Sequence, residues 1–116
     1  MTLNIKSKED VIKRLAEKSE FERRVLVATF EIPKGKVSTY RRIAEKIGRP
    51  HAYRAVGNAL HKNPLAPIVP CHRVVKSDGE IVGRDEEAIG SKRLLLEEEA
   101  VPLEGKRVKI SKGILF

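Results

Sequence analysis

The sequence predicts a mostly α-helical domain carrying one small β-hairpin, and three observations predict it. Apolar residues gather in five helix-length stretches, the first three opened by a serine or threonine able to cap a helix. Two of these stretches are short and joined by a tight glycine-containing turn, the pattern of a helix-turn-helix. Val74-Val75 and Ile81-Val82 flank Ser77-Asp-Gly79, which reads as a hairpin spanning Arg73 to Val82. A chain of 116 residues suits one domain with a single core, and with aromatics at 4% that core must be aliphatic.

The first stretch begins at Ser7-Lys-Glu-Asp10, an acid three residues after a serine, with Val11, Ile12, Leu15 and Ala16 on one face. Ser19-Glu-Phe-Glu22 repeats the signal and opens a stronger helix through Phe21, Val25, Leu26 and Ala28 to Phe30, which Pro33 and Gly35 stop. Ser38 or Thr39 then caps a helix through Tyr40, Ile43, Ala44 and Ile47, ended by Gly48-Arg-Pro50. The second member of the pair runs from about His51 to Lys62. It is rich in small residues (Ala52, Ala55, Gly57, Ala59), with Arg54 among them. Gly57 inside a helix costs about 1 kcal/mol relative to alanine, which either tight internal packing or close approach to another molecule would justify.

Prolines at 64, 67 and 70 rule out helix over Asn63–Pro70 and make it a stiff, largely apolar loop delivering Cys71-His72. A fifth helix is expected from about Asp85 to Glu99, and the tail from Val101 to Phe116 is weakly specified. The expected organisation is a short N-terminal helix and lead-in at 1–18, the main domain at 19–100, and a tail at 101–116 packed on it.

The formal net charge of +8 points to a polyanionic partner, because clustered Lys and Arg release counterions from phosphates. A solvated lysine-rich surface is the plain alternative. One cysteine cannot form an internal disulfide and suits a reducing compartment. No run of about 18 apolar residues is present, and the N-terminus mixes charges too early for a signal peptide. The expectation is therefore an intracellular protein, cytoplasmic or nucleoid-associated, with no membrane partner. Cys71, His51, His61 and His72 lack paired ligand spacing, so no metal and no cofactor is expected.

Cysteine followed by histidine at the end of a rigid loop suits a nucleophile and its base, since the thiolate attacks and the imidazole titrates near neutral pH. On an extended segment neighbouring side chains point opposite ways, so His72 would reach the sulfur through a water, with a carboxylate holding its tautomer. An inert buried cysteine is the alternative.

The string Pro70-Cys-His-Arg-Val-Val75 resembles the active-site signature of the O6-alkylguanine-DNA alkyltransferases. Ile32-Pro-Lys-Gly-Lys-Val-Ser-Thr-Tyr40, Arg54-Ala-Val-Gly57, Asn63-Pro64 and Ser77-Asp-Gly79 follow in that family's order and nearly its spacing. The resemblance covers about Phe21 to Glu99 and corresponds to the family's C-terminal domain. It implies a winged-helix-like helix-turn-helix fold, with the larger N-terminal domain of many members, and the zinc some carry there, absent. The implied activity is repair of double-stranded DNA containing O6-alkylguanine. The protein would be a monomer that flips the nucleotide out of the minor groove and transfers its alkyl group to itself once. Cys71 would be the nucleophile, His72 the base acting through water, and Glu99 (or Glu98) its partner. Tyr40 would donate a proton toward the leaving guanine, and Asn63 would brace the loop. Arg54 would fill the gap left by the flipped nucleotide. Ala55 and Gly57 would face the minor groove, and Arg41, Arg49 and Ser77 would touch the backbone. Val74 and the stretch beginning Arg84-Asp85 would line the substrate pocket.

Two departures from the pattern stand out. Arg84-Asp-Glu-Glu87 replaces a Tyr-Ser-Gly-Gly stretch, with about one extra residue before Lys92, and Tyr53 occupies a normally small position. The resemblance also admits a non-repairing relative, an alkyltransferase-like sensor of alkylated guanine, although such proteins typically carry tryptophan where this chain has Cys71. A helix-turn-helix transcriptional regulator would leave Pro70-Cys-His-Arg73 without a role. A cysteine hydrolase would need an oxyanion-hole signature that does not accompany Cys71.

Overall fold

The computed structural model describes residues 6–116; the start of the expected lead-in lies outside the described residues. Ser7 and Ser19 each accept a hydrogen bond from the backbone N–H three residues on, at 3.3 Å from Asp10 and 3.1 Å from Glu22. They open α1 (Lys8–Arg14) and α2 (Glu20–Phe30). Val11 and Leu15 are buried, but Ile12 and Ala16, expected on the same face, are exposed. The helix ends at Arg14, so its apolar stripe is one residue wide.

The helix-turn-helix consists of α3 (Tyr40–Lys46) and α4 (Tyr53–His61). Of the two candidate caps, Thr39 makes the bond, accepting from the Arg42 N–H at 3.1 Å. Gly48 turns the chain at φ 78°, where glycine pays no Cβ penalty. Ile43, Ala44, Val56, Ala59 and Leu60 close against Val25, Leu26 and Ala28 of α2 in one apolar cluster.

The expected hairpin over Arg73–Val82 is not what forms. Ser77-Asp-Gly79 does turn the chain, with Gly79 N–H donating to Lys76 O at 2.8 Å and Lys76 N–H to Glu80 O at 3.0 Å. However, β1 (Ser38–Thr39) and β2 (Val74–Val75) pair parallel, with Ser38 opposite Val74 and Thr39 opposite Val75. Residues 79–81 pair instead with the tail, which folds into the antiparallel hairpin β3 (Leu103–Glu104) and β4 (Arg107–Val108). Local turn chemistry marks where a chain reverses but not which edge each strand then finds.

The interior is divided rather than single. Val74 joins the cluster under the helices. Val75 joins a second, with Val37, Ile81, Leu96, Val101 and Val108, because successive strand residues face opposite sides. Helix α5 (Glu86–Glu98), capped by Asp85 accepting from the Ala88 N–H at 2.8 Å, contributes Leu96 to the second cluster. It ends with Ala100 at φ 61°, where Val101 N–H reaches Leu96 O and Ala100 N–H reaches Glu97 O, both at 3.0 Å. Among the described residues no helix is long and apolar enough to cross a membrane.

Candidate nucleophile and groove

The proline loop is held by Asn63, whose side-chain nitrogen donates to Val69 O at 2.8 Å while its oxygen accepts from the Leu65 N–H at 2.9 Å. One side chain therefore fixes both ends of the loop before Cys71. Residues Cys71–Arg73 form one turn of 3-10 helix rather than the expected extended segment, with Arg73 N–H donating to Pro70 O at 2.9 Å. Cys71 is half-buried and packs on the first cluster, and His72 is 3% exposed.

His72 Nε2 lies 3.0 Å from Glu99 Oε2. The Schellman ending of α5 presents Glu99 inward as the helix cap, while Glu98 is exposed. Arg73 grips the same carboxylate with two nitrogens and donates a third bond to Ile32 O at 2.7 Å. Burial pushes the His72 imidazole below its ordinary pKa of 6.5, more than the Glu99 hydrogen bond and charge raise it. Glu99 is shifted upward by burial, but the bonds from Arg73 and His72 outweigh this and hold it below the usual carboxylate range. The array is thus a neutral imidazole on an ionised carboxylate. His72 Nδ1 is buried with no hydrogen-bond partner among the described residues.

Tyr40, the first residue of α3, packs on the same cluster as Cys71. Burial foremost, with the nearby Cys71 sulfur adding to it, pushes the phenol up to about 12, so it stays a donor through the neutral range. Tyr40 also lines a groove of about 880 Å³. Arg41, Tyr53, Arg54 and Gly57 of the helix-turn-helix line it together with Lys76, Ser77 and Asp78 of the turn after β2. Cys71 is not among the lining residues; Tyr40 and Leu60 both line the groove and share the cysteine's apolar cluster. The Tyr53 ring is exposed on the groove lining with the Arg41 guanidinium 5.7 Å from its centroid, a cation–π geometry.

Not every expected residue gathers here. Ala55 and Arg49 are exposed but do not line the groove. Val74, expected in a substrate pocket, is 1% exposed in the core because β2 turns it inward. Arg84 and Asp85 are also outside the groove: both are exposed, and Asp85 spends its carboxylate on capping α5. Two contributors were not singled out from sequence. Arg73 sits inside the motif, but nothing local reveals that its partner lies 26 residues on. Lys92 lines the groove, donates to Val82 O at 2.7 Å, and adds to the lowering of His72.

Fold and site together define a helix-turn-helix domain with a histidine–carboxylate–arginine array behind its one cysteine. A family model described as the DNA-binding domain of 6-O-methylguanine DNA methyltransferase matches residues 20–101, and the chain belongs to that family. A methylated-DNA–protein-cysteine methyltransferase of Methanosarcina barkeri is 50% identical over 72 residues, 62% of this chain and 46% of that protein. The crystal structure of Mycobacterium tuberculosis OGT in complex with DNA is 47% identical. It superposes with a TM-score of 0.66, covering 70% of this chain and 50% of that one. Schizosaccharomyces pombe Atl1, in complex with damaged DNA containing O6-carboxymethylguanine, is 37% identical with a TM-score of 0.73, covering 84% of this chain and 94% of that one. The chain spans about half the length of the curated methyltransferases it matches.

Proposed function

We propose that this chain repairs DNA by taking the alkyl group from O6-alkylguanine onto Cys71, once per molecule. The observation that carries the reading is a cysteine placed directly before a buried neutral histidine whose far nitrogen is fixed by an ionised, arginine-clamped carboxylate. His72 Nδ1 is the nitrogen free to take the thiol proton through a water, leaving a thiolate. Sulfur attacks the alkyl carbon, the carbon–O6 bond breaks, and its electron pair leaves with guanine. Tyr40 donates a proton to the base's ring nitrogen and is reprotonated as His72 gives up its own. The thioether is stable and no second thiol is present to remove the group. Cys71 through Arg73 and Glu99 would form the transfer centre within 19–100, with 101–116 packed against it.

The groove side of α4 would meet the minor groove of double-stranded DNA, where the target nucleotide must rotate out to be reached. Arg54, on the groove wall, is suited to the vacated space, and Arg41 and Ser77 to backbone contacts. The chain would act as a monomer inside the cell. A second reading is lesion sensing without transfer. It is favoured by the match along 94% of Atl1, a protein crystallised on lesion DNA.

Intact-protein mass spectrometry after incubation with an O6-methylguanine duplex separates the two. Transfer predicts one added methyl, localised to Cys71, and none in Cys71→Ala, which still binds. Binding by the wild-type chain with no added mass would leave sensing.

A further inference from the structure

We propose that residues 102–116, which lie beyond the family match, are a brace that fixes the separation of the two groove walls, with Arg107 and Phe116 as positioning residues at its ends. The inference rests on the groove being the DNA-facing surface.

At one end the tail holds the wall formed by Lys76, Ser77 and Asp78. Val108 N–H donates to Gly79 O at 2.8 Å and Ile81 N–H donates to Lys106 O at 3.0 Å. The Arg107 guanidinium meets the Asp78 carboxylate at 2.7 Å. Gly79 has φ 90°, and a Cβ there would stand 2.1 Å from Val108 O, so only glycine lets the tail lie this close.

At the other end the tail grips the segment leading into α3, whose Tyr40 and Arg41 also line the groove. Val37 N–H donates to Ile114 O and Phe116 N–H to Val37 O, both at 2.8 Å. The Phe116 main-chain oxygen accepts from Ser38 Oγ at 3.1 Å and Arg42 Nε at 2.9 Å, and Lys46 Nζ sits 4.1 Å from the Phe116 ring centroid. These residues flank Thr39, Tyr40 and Arg41, the cap and first turn of α3. Between the two ends, Leu103, Val108, Ile110, Ile114 and Leu115 pack on Val37, Val75, Ile81 and Leu96. The tail is therefore bonded to the turn of one wall and the helix start of the other, with an apolar cluster between. A double helix needs both walls at a set distance, so loosening either anchor should be felt as lost affinity before lost chemistry.

Asp78→Asn makes a decisive test because the alternatives predict opposite signs. Removing an anion from a phosphate-facing wall should tighten binding if charge alone matters. If Arg107 positions the wall through Asp78, the same change should weaken it. Affinity for an O6-methylguanine duplex is read by fluorescence anisotropy for wild type, Asp78→Asn, Phe116→Ala and Phe116→Tyr. Phe116 is 37% exposed, so its truncation leaves the fold standing. The brace predicts binding about fivefold weaker for Asp78→Asn and Phe116→Ala, the scale of one lost ion pair or cation–π contact. It also predicts wild-type binding for Phe116→Tyr and an unchanged limiting transfer rate for Phe116→Ala at saturating duplex. Tighter binding by Asp78→Asn, or wild-type binding by Phe116→Ala, would overturn it. Wild-type protein that binds but does not transfer sinks the proposed chemistry alone, and the affinities still decide the brace.

Discussion

Arg73 holds Glu99 in a two-nitrogen grip, Nε to Oε1 at 2.9 Å and Nη2 to Oε2 at 2.7 Å, while its remaining nitrogen reaches back to Ile32 O. The residue two places after the cysteine thus ties the end of α5 to the end of α2, and the carboxylate it fixes is the one against His72. Only a planar fork satisfies this arrangement; an ammonium supplies charge at one point. Arg73→Lys should slow single-turnover transfer by about ten- to hundredfold, the usual cost of losing an outer support of a reacting group. Duplex affinity should be retained. An unaltered rate would mean that the orientation of Glu99 is immaterial.

The pH dependence follows from the directions of the two shifts. His72 has a folded pKa below its unfolded value, so above about 6.5 it is neutral in both states and costs nothing. As pH falls through 6.5 the unfolded chain binds the proton first, and stability declines until the folded imidazole also titrates. Glu99, likewise depressed, supplies stability above the ordinary carboxylate range that is lost as pH falls below it. Because His72 must be neutral to accept the thiol proton, the acid limb of the transfer rate should lie below 6.5. Glu99→Gln, which removes a group raising His72, should move that limb lower still while reducing the rate. A limb at or above 6.5 in the wild type would contradict the assignment of His72 as base.

Tyr40 tests the leaving-group side of the reaction. A phenol held at about 12 is a hydrogen-bond donor throughout the working range, and phenylalanine keeps its packing without the donor. Tyr40→Phe should leave duplex affinity near wild type and slow the limiting rate by about 10²-fold, the lower end of what a positioned acid contributes. Equal transfer rates would assign the ring a packing role only.

What could be read from the chain, and what could not, divides along the range of the interactions involved. Caps at Ser7, Ser19 and Thr39 and the stop at Gly48 act within three or four residues, so α1 to α4 were legible in order. The proline loop was legible for the same reason, since each proline restricts itself and its neighbour. The parallel pairing of β1 with β2 joins residues 36 apart and left no local trace. The hairpin reading failed because 79–81 bond to the tail, a choice decided by tertiary packing at Gly79. Sequence alone left open whether Glu99 or Glu98 partners His72. Only the left-handed turn at Ala100 fixes Glu99 as the helix cap facing His72. The burial of Val74 was not legible for a related reason: a strand of two residues has no periodicity to say which faces inward.

Gly57 offers the sharpest separation of fold from function, because the two make opposite demands of it. A Cβ built there would stand 3.8 Å from the Tyr40 ring, ordinary van der Waals contact, so internal packing does not require glycine. Alanine should therefore be accommodated and should stabilise α4 by about 1 kcal/mol through helix propensity alone, raising the melting temperature. Yet Gly57 lines the groove, and the minor groove it is proposed to enter is only about 6 Å wide. A methyl on that surface holds the helix backbone off the duplex and costs close contacts along it. Gly57→Ala should consequently be more stable than wild type and bind duplex DNA more weakly, a pairing that general damage to the fold cannot produce. Thermal denaturation and anisotropy on the same preparation check it. A variant both more stable and equally tight would show that α4 does not meet DNA through this face.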